Sequence, residues 1–232
     1  LIRLPVGIYL CAYANNQREV PPARSSLGLP EDAVVLGVMH NHYKIDPSVF
    51  AIWMRLLAAN NKAILWFLDG HAETKAALCA SALQQGVEPE RLIFAPKVHH
   101  GDHLARLQQV DLSLDTPQCS GGTTTADALS AGVPVLTCAG STLMQRLAAS
   151  LINAAGMADL ITSDLAEYES RGLELLISPA RLNQERDKLA QARTTALFFS
   201  PERWLRHFET GIQRAWEHHC AGQAPKKIRV EV

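Results

Sequence analysis

VVLGVMHNHYKIDPSVFAIWMRLL, residues 34–57, is the stretch on which the fold turns. It opens on an apolar run, Val34–Met39, with no polar alternation, as expected of a strand covered on both faces. A polar loop, His40–Lys44, follows, and then Asp46-Pro47, a helix cap with proline in the first helical position. Val49, Ile52, Trp53, Leu56 and Leu57 then recur at helical spacing. A buried strand leading through a short loop into an amphipathic helix is the building unit of a parallel sheet.

The same unit repeats downstream. Ala63–Leu68, Leu92–Ala95, Asp111–Leu114 and Pro134–Thr137 read as further buried strands, and Glu73–Gln85 (closed by Gly86), His100–Gln109 and Thr123–Ala131 as helices between them. The expected fold is α/β: a doubly wound, mostly parallel, Rossmann-like sheet with a helical C-terminal part. That part comprises Thr142–Ala155, Asp164–Ile177, Pro179–Ala196 and Pro201–His219, with a short sixth strand near Leu160–Ile161. In the last helix Trp204, Leu205, Phe208, Ile212 and Trp216 form one stripe, expected to be a packed core face. Residues 1–30, with Pro5, Pro21, Pro22 and Pro30, read as a linker or wrapped arm, residues 31–220 as the domain, and 221–232 as a tail whose Lys226-Lys227-Ile228-Arg229 run is solvated.

Composition narrows the function. With 232 residues, 47% hydrophobic, the chain can build a substantial core. A net charge of −1 gives no broad attraction to nucleic acid or to an anionic membrane. The five cysteines are widely spaced with no C-x-x-C pair, which points to a reduced, cytoplasmic chain and not to a zinc knuckle or disulfide framework. No apolar run approaches the roughly 20 residues of a bilayer span, and the first residues do not form a signal peptide. The chain starts at Leu1 and not at methionine, which reads as a piece of a longer protein.

In the commonest doubly wound strand order, 3-2-1-4-5-6, a ligand binds beyond the carboxyl ends of strands one and four. The loops there, His40–Lys44 and Thr116–Thr125, are the most chemically loaded in the sequence. The second reads TPQCSGGTTTAD, Thr116–Asp127: Gly121 and Gly122 allow close backbone approach, and Thr123 and Thr124 open a helix whose first amides lack internal partners. Such a start suits a phosphate, although a capped glycine turn reads the same way. Lys44 lies on the facing loop, and Asp127 lies one turn into the helix, within reach of ribose hydroxyls. His99, His100 and His103 cluster at the next helix start; no Asp, Glu or Cys ligand is obviously paired with them, and because the loop leaves the carboxyl end of strand three, nucleotide contact is expected over a metal. There is no G-x-G-x-x-G after the first strand, no P-loop lysine and no G-x-S-x-G.

At these motifs the chain resembles the protein O-GlcNAc transferases and their bacterial and plant Spindly-type relatives. The matching text is HNHYKIDP at His40–Pro47, LIFAP at Leu92–Pro96, HLAR at His103–Arg106, LDTP at Leu114–Pro117, GGTTTADALSAGVPV at Gly121–Val135 and RLAAS at Arg146–Ser150. The resemblance runs from about Leu1 to Cys220. It implies one half of a GT-B glycosyltransferase, the C-terminal half that holds the sugar nucleotide, with the partner half and often tetratricopeptide repeats ahead of it. On its own the fragment is expected to be inactive. The implied reaction is inverting transfer of GlcNAc from UDP-GlcNAc to serine or threonine of a protein acceptor, without metal or other cofactor. By position, the resemblance assigns Asn41 and Lys44 to the diphosphate, with Lys44 the catalytic charge on the departing UDP, and Thr123 and Thr124 to phosphate. It assigns Asp127 and His103 to ribose, and Arg106 with the backbone at Val98 to uracil. Two positions depart from the family pattern: Gly122 stands where a histidine is common, and His100 where a lysine is usual. Spindly-type members use GDP-fucose, so that donor is one alternative. A sugar-nucleotide epimerase half and a non-catalytic nucleotide-binding or scaffold module are the others.

Overall fold

Buried strands alternate with helices to build a six-stranded sheet. In the computed structural model, which describes residues 1–5, 7 and 20–231, the chain begins with β1 (Ile2–Arg3) and continues β2 (Val34–Val38), α1 (Pro47–Ala59), β3 (Ala63–Leu68), α2 (Ala72–Gln84), β4 (Leu92–Ala95) and α3 (His100–Leu107). It then runs β5 (Leu112–Leu114), α4 (Thr123–Ala131), β6 (Val135–Cys138), α5 (Leu147–Ala154), β7 (Ile161–Thr162), α6 (Leu165–Ile177), α7 (Pro179–Ala192), α8 (Pro201–Cys220) and β8 (Ile228–Arg229). The main sheet has the order β4-β3-β2-β5-β6-β7, with every pair parallel. Counted from β2 this is 3-2-1-4-5-6, so the direction of winding reverses between β2 and β5. Part of the expected arm, Val6 and residues 8–19, lies outside the described residues.

Local chemistry sets the helix ends. Asp46 accepts from the amides of Ser48 (2.9 Å) and Val49 (3.2 Å), and Pro47 occupies the first turn, so α1 starts where the sequence places it. Asp164 caps α6 in the same way through Glu167 N (2.8 Å). The expected helix from Thr142 begins only at Leu147. Gln145 Oε1 accepts from Ser141 N and Thr142 N (3.1 and 3.2 Å), which coils residues 141–146 into a tight turn. The expected helix to Ala196 stops at Ala192, where the Thr194 hydroxyl donates to Gln191 O (3.0 Å) and competes with the backbone ladder.

Two further expectations change. The stripe on α8 is not a packed core face: Leu205, Phe208 and Ile212 are exposed and Trp216 is 66% exposed. The helix packs instead through Gly211, where an added Cβ would lie 2.7 Å from Ile2 Cγ2 and 3.3 Å from Val230 Cγ2. The basic C-terminal run is not simply solvated, because Ile228–Arg229 pairs with Ile2–Arg3 in a two-stranded parallel sheet and Val230 is buried. Among the described residues no helix is long and apolar enough to cross a membrane.

The core of the sheet reaches the loop after β5 through one polar chain. Trp53 and Tyr168 are fully buried where α1 meets α6. Trp53 Nε1 donates to the Tyr168 hydroxyl (3.2 Å), which donates to the backbone carbonyl of Asp115 (3.2 Å). Burial pushes the Tyr168 phenol up, so it remains a donor. Tyr168→Phe would leave the Trp53 N–H and the Asp115 carbonyl unpaired, and should cost about 1–3 kcal/mol in urea unfolding; an unchanged midpoint would contradict this tether.

Candidate functional site

Two loops meet at the β2–β5 reversal. The loop after β2 turns through a 3₁₀ segment, His42–Lys44, closed by Lys44 N to Asn41 O (3.1 Å) and Ile45 N to His42 O (3.0 Å). His42 points toward the sheet, with Nε2 2.8 Å from Leu68 O and the ring edge-on to Phe67 and Phe94. Asn41 and Tyr43 are exposed, while Lys44 is half-buried and close enough to influence His40 electrostatically. Among the described residues Lys44 makes no salt bridge, so its charge is free for a ligand.

The loop after β5 is built around Asp115, which is fully buried. Asp115 Oδ1 accepts from Gly121 N (2.8 Å) and Oδ2 from the Thr137 hydroxyl (2.6 Å). Ser120 ties the far side of the loop to Met144 O through both its amide and its hydroxyl (3.1 and 2.6 Å). Gly121 is then pressed against the next helix: a Cβ there would come within 2.5 Å of Thr125 Oγ1, 2.6 Å of Thr124 Oγ1 and 2.8 Å of His40 Cε1. Gly122 occupies the cap position of α4 at φ −100°, ψ −84°, and no side chain caps the helix. The buried Thr125 Oγ1 has no hydrogen-bond partner. A helix start with no side-chain cap, behind a glycine with no room for a side chain, is an arrangement that can receive an anion.

The third wall comes from β4 and α3. Arg106 is buried; its Nη1 donates to Pro96 O (2.6 Å), its Nε donates to His103 Nδ1 (3.2 Å), and its guanidinium lies over Trp66 (5.8 Å). These bonds fix the Pro96–His99 segment, which presents Val98 half-exposed. His100 Nε2 reaches Asp127 Oδ1 (3.1 Å) and so links α3 to α4. A cleft of about 630 Å³ lies between the loop after β2 and the ends of β3 and β4, walled by His40–Tyr43, Asp69–His71 and Lys97; no residue of Gly121–Asp127 lines it.

The structure therefore brings Asn41 and Lys44, Gly122, Thr123 and Thr124, Asp127 with His100, and His103 with Arg106 and Val98 onto one edge of the sheet, at the carboxyl ends of β2, β4 and β5. No three His, Cys, Asp or Glu side chains among the described residues gather as a metal site. Sequence reasoning missed His40 and Asp115. His40 is 3% exposed, with Nδ1 3.1 Å from Thr124 Oγ1 and Nε2 3.7 Å from Asp115 Oδ1. The available signal was an aspartate ending the apolar run Leu112–Leu114, a charge that burial obliges to find partners.

Burial, reinforced by the neighbouring Arg106 charge, pulls the His103 imidazole from 6.5 down to about 4. His103 is thus a neutral acceptor for Arg106 at neutral pH. Between these two values the unfolded chain binds a proton that the folded chain does not, so stability contributed here is lost as pH falls from about 6.5 toward about 4. Urea midpoints followed across that window should fall less steeply in His103→Gln; parallel slopes would contradict the assignment.

Comparison with known proteins agrees with this geometry. The profile of glycosyl transferase family 41 matches residues 13–208. The chain is 32% identical over 236 residues to a probable UDP-N-acetylglucosamine–peptide N-acetylglucosaminyltransferase, SEC, of Arabidopsis thaliana, an alignment covering 99% of this chain and 24% of that protein. It is 30% identical over 200 residues to the UDP-N-acetylglucosamine–peptide N-acetylglucosaminyltransferase of Caenorhabditis elegans, covering 86% of this chain and 17% of that one. A solved structure of a mutant Thermobaculum terrenum O-GlcNAc transferase superposes with a TM-score of 0.74 at 27% identity, over 83% of this chain and 38% of that one. The chain thus spans about a quarter or less of the two curated relatives. With a mostly parallel sheet that superposes on that structure and a profile match through β2 to α8, the chain belongs to glycosyl transferase family 41.

Proposed function

We propose that this chain is the donor-binding half of an inverting glycosyltransferase that moves GlcNAc from UDP-GlcNAc to serine or threonine hydroxyls of proteins. The observation that carries the reading is the start of α4, with Gly122 at its cap position, no side-chain cap and Gly121 pressed against it, at the β2–β5 reversal where the loop of the unpaired Lys44 also lies. The diphosphate sits on the amides and hydroxyls of Thr123 and Thr124, with Asn41 and Lys44 on its other side. Asp127 and His103 take the ribose. The uracil lies along the backbone at Val98, which Arg106 holds in place through Pro96.

In this reading the reaction needs no metal. Charge builds on the β-phosphate as the bond to the anomeric carbon breaks, and the α4 dipole and Lys44 are already in place to stabilise it. Gly122 leaves the cradle more open than a histidine would, and His100 substitutes for a lysine by engaging Asp127. The acceptor site and the base that deprotonates the acceptor are assigned to sequence outside this chain, in keeping with the share of the relatives that it spans. The half-buried or exposed Cys79, Cys119 and Cys220 and the buried Cys138, all free, fit a reduced cytoplasmic setting.

Removing the Lys44 charge by Lys44→Ala in the full-length enzyme should lower turnover about 10²–10³-fold, the range for loss of one group that stabilises transition-state charge. The circular dichroism spectrum should be unchanged. Turnover close to wild type would contradict the assigned role. A preference for GDP over UDP in nucleotide competition would move the donor to GDP-fucose.

A further inference from the structure

We propose that His40 is a positioning residue for the donor diphosphate: it gains a proton when the nucleotide sugar binds, and its Nδ1–H then holds the Thr124 hydroxyl with the hydroxyl proton turned toward phosphate. The proposal rests on the donor reading above and adds to it a residue and a proton that the family motifs do not assign.

The geometry limits what each ring nitrogen can do. Nε2 faces Asp115 Oδ1 at 3.7 Å, and the neighbouring Leu114 carbonyl favours the protonated ring. Both Asp115 oxygens accept hydrogen bonds, from Gly121 N and from Thr137 Oγ1, and so act as acceptors beside the ring. The group recorded against Nε2 is an acceptor, so the tautomer that fits this geometry carries its hydrogen on Nε2. Nδ1 lies 3.1 Å from Thr124 Oγ1. In a neutral ring Nδ1 is bare and must accept the Thr124 proton, which leaves only oxygen lone pairs facing outward. Lone pairs repel a phosphate. When Thr124 turns its proton outward to donate to phosphate, two lone pairs face each other at 3.1 Å unless Nδ1 gains a hydrogen. One proton from solvent satisfies both contacts: Nδ1–H donates to Thr124 Oγ1, and Thr124 O–H donates to phosphate. Only the N–H bond forms in this step.

The surroundings make this proton conditional on the ligand. From β5 the ring faces Asp115 and the Leu114 carbonyl, from α4 the uncharged Thr124, and from its own loop Lys44. Burial holds the free imidazole below its ordinary range, with Lys44 adding to that effect and Asp115 opposing it. A diphosphate beside Lys44 cancels the Lys44 repulsion and adds negative charge one hydroxyl away from the ring. The ring cannot swing out instead: it is 3% exposed and packs so tightly that a Cβ on Gly121 would lie 2.8 Å from its Cε1.

Calorimetric titration of the full-length protein with UDP-GlcNAc, in buffers of different ionisation enthalpy near neutral pH, counts the protons exchanged. UDP-GlcNAc suits the purpose because neither of its phosphates titrates near neutrality. The expected result is uptake of about one proton per nucleotide sugar, with affinity falling about tenfold per unit rise in pH. Thr124→Ser should keep the uptake and His100→Gln should keep it too. Thr124→Val and His40→Asn should bind more weakly and take up none, which also covers the case in which the histidine variant fails to fold. Wild-type binding without proton exchange, or undiminished uptake in Thr124→Val, would overturn the proposal. Failure of the wild type to bind UDP-GlcNAc at all would overturn the donor reading itself, and this inference with it.

Discussion

The buried carboxylate of Asp115 is the point on which the site depends. It ends β5, fully removed from water, and no lysine or arginine pairs with it among the described residues. Its partners are the Gly121 amide, the Thr137 hydroxyl and the edge of His40. A carboxylate in that position is stable only while these donors are in place. It therefore fixes three things together: the path of the glycine loop, the register of β5 beside β6, and the orientation of the histidine that begins the other loop. The Trp53–Tyr168 chain secures the backbone of the same residue from beneath. The most tightly determined point of the polar interior thus lies directly under the cradle.

From that point the fold distributes its work by element. β2 and β5 carry the two loops that face each other, because the sheet winds outward in opposite directions from them. α4 contributes its uncapped start, and α3 contributes Arg106, which is committed to backbone and to His103 and so shapes the Pro96–His99 wall. The polar groups that are satisfied internally define the shape of the site. Lys44, which makes no salt bridge among the described residues, and the α4 amides, which no side chain caps, are the groups to which the proposed function gives the diphosphate.

Much of this was legible in the sequence, and the parts that were not share a cause. Val34–Val38, Ala63–Leu68 and Leu92–Ala95 stand out because strands covered on both faces are continuously apolar. Asp46-Pro47 and Gly86 mark helix ends by local chemistry alone. The glycine-threonine loop showed in the sequence as a turn leading into a helix start, and the structure places α4 from Thr123 after it. His40 and Asp115 could not be read, since their roles come from partners 84 and 22 residues away, and a histidine before Asn41 looks like any loop residue. The stripe on α8 misled for a related reason. Spacing shows which residues share a helix face, but the partner of that face is set by tertiary packing, which here seats the helix through Gly211. The late start at Leu147 reflects one glutamine side chain capturing two amides.

A diphosphate cradle at the start of α4, held in shape by Asp115, would put the ligand directly on the first amides of that helix. Amide hydrogen exchange resolved at Gly121–Thr125, measured with and without UDP-GlcNAc and with uridine as a phosphate-free control, tests it most directly. UDP-GlcNAc should slow exchange at the Thr123–Thr125 amides, and uridine should leave them unchanged. Equal protection by uridine, or protection by UDP-GlcNAc confined to other segments, would contradict it.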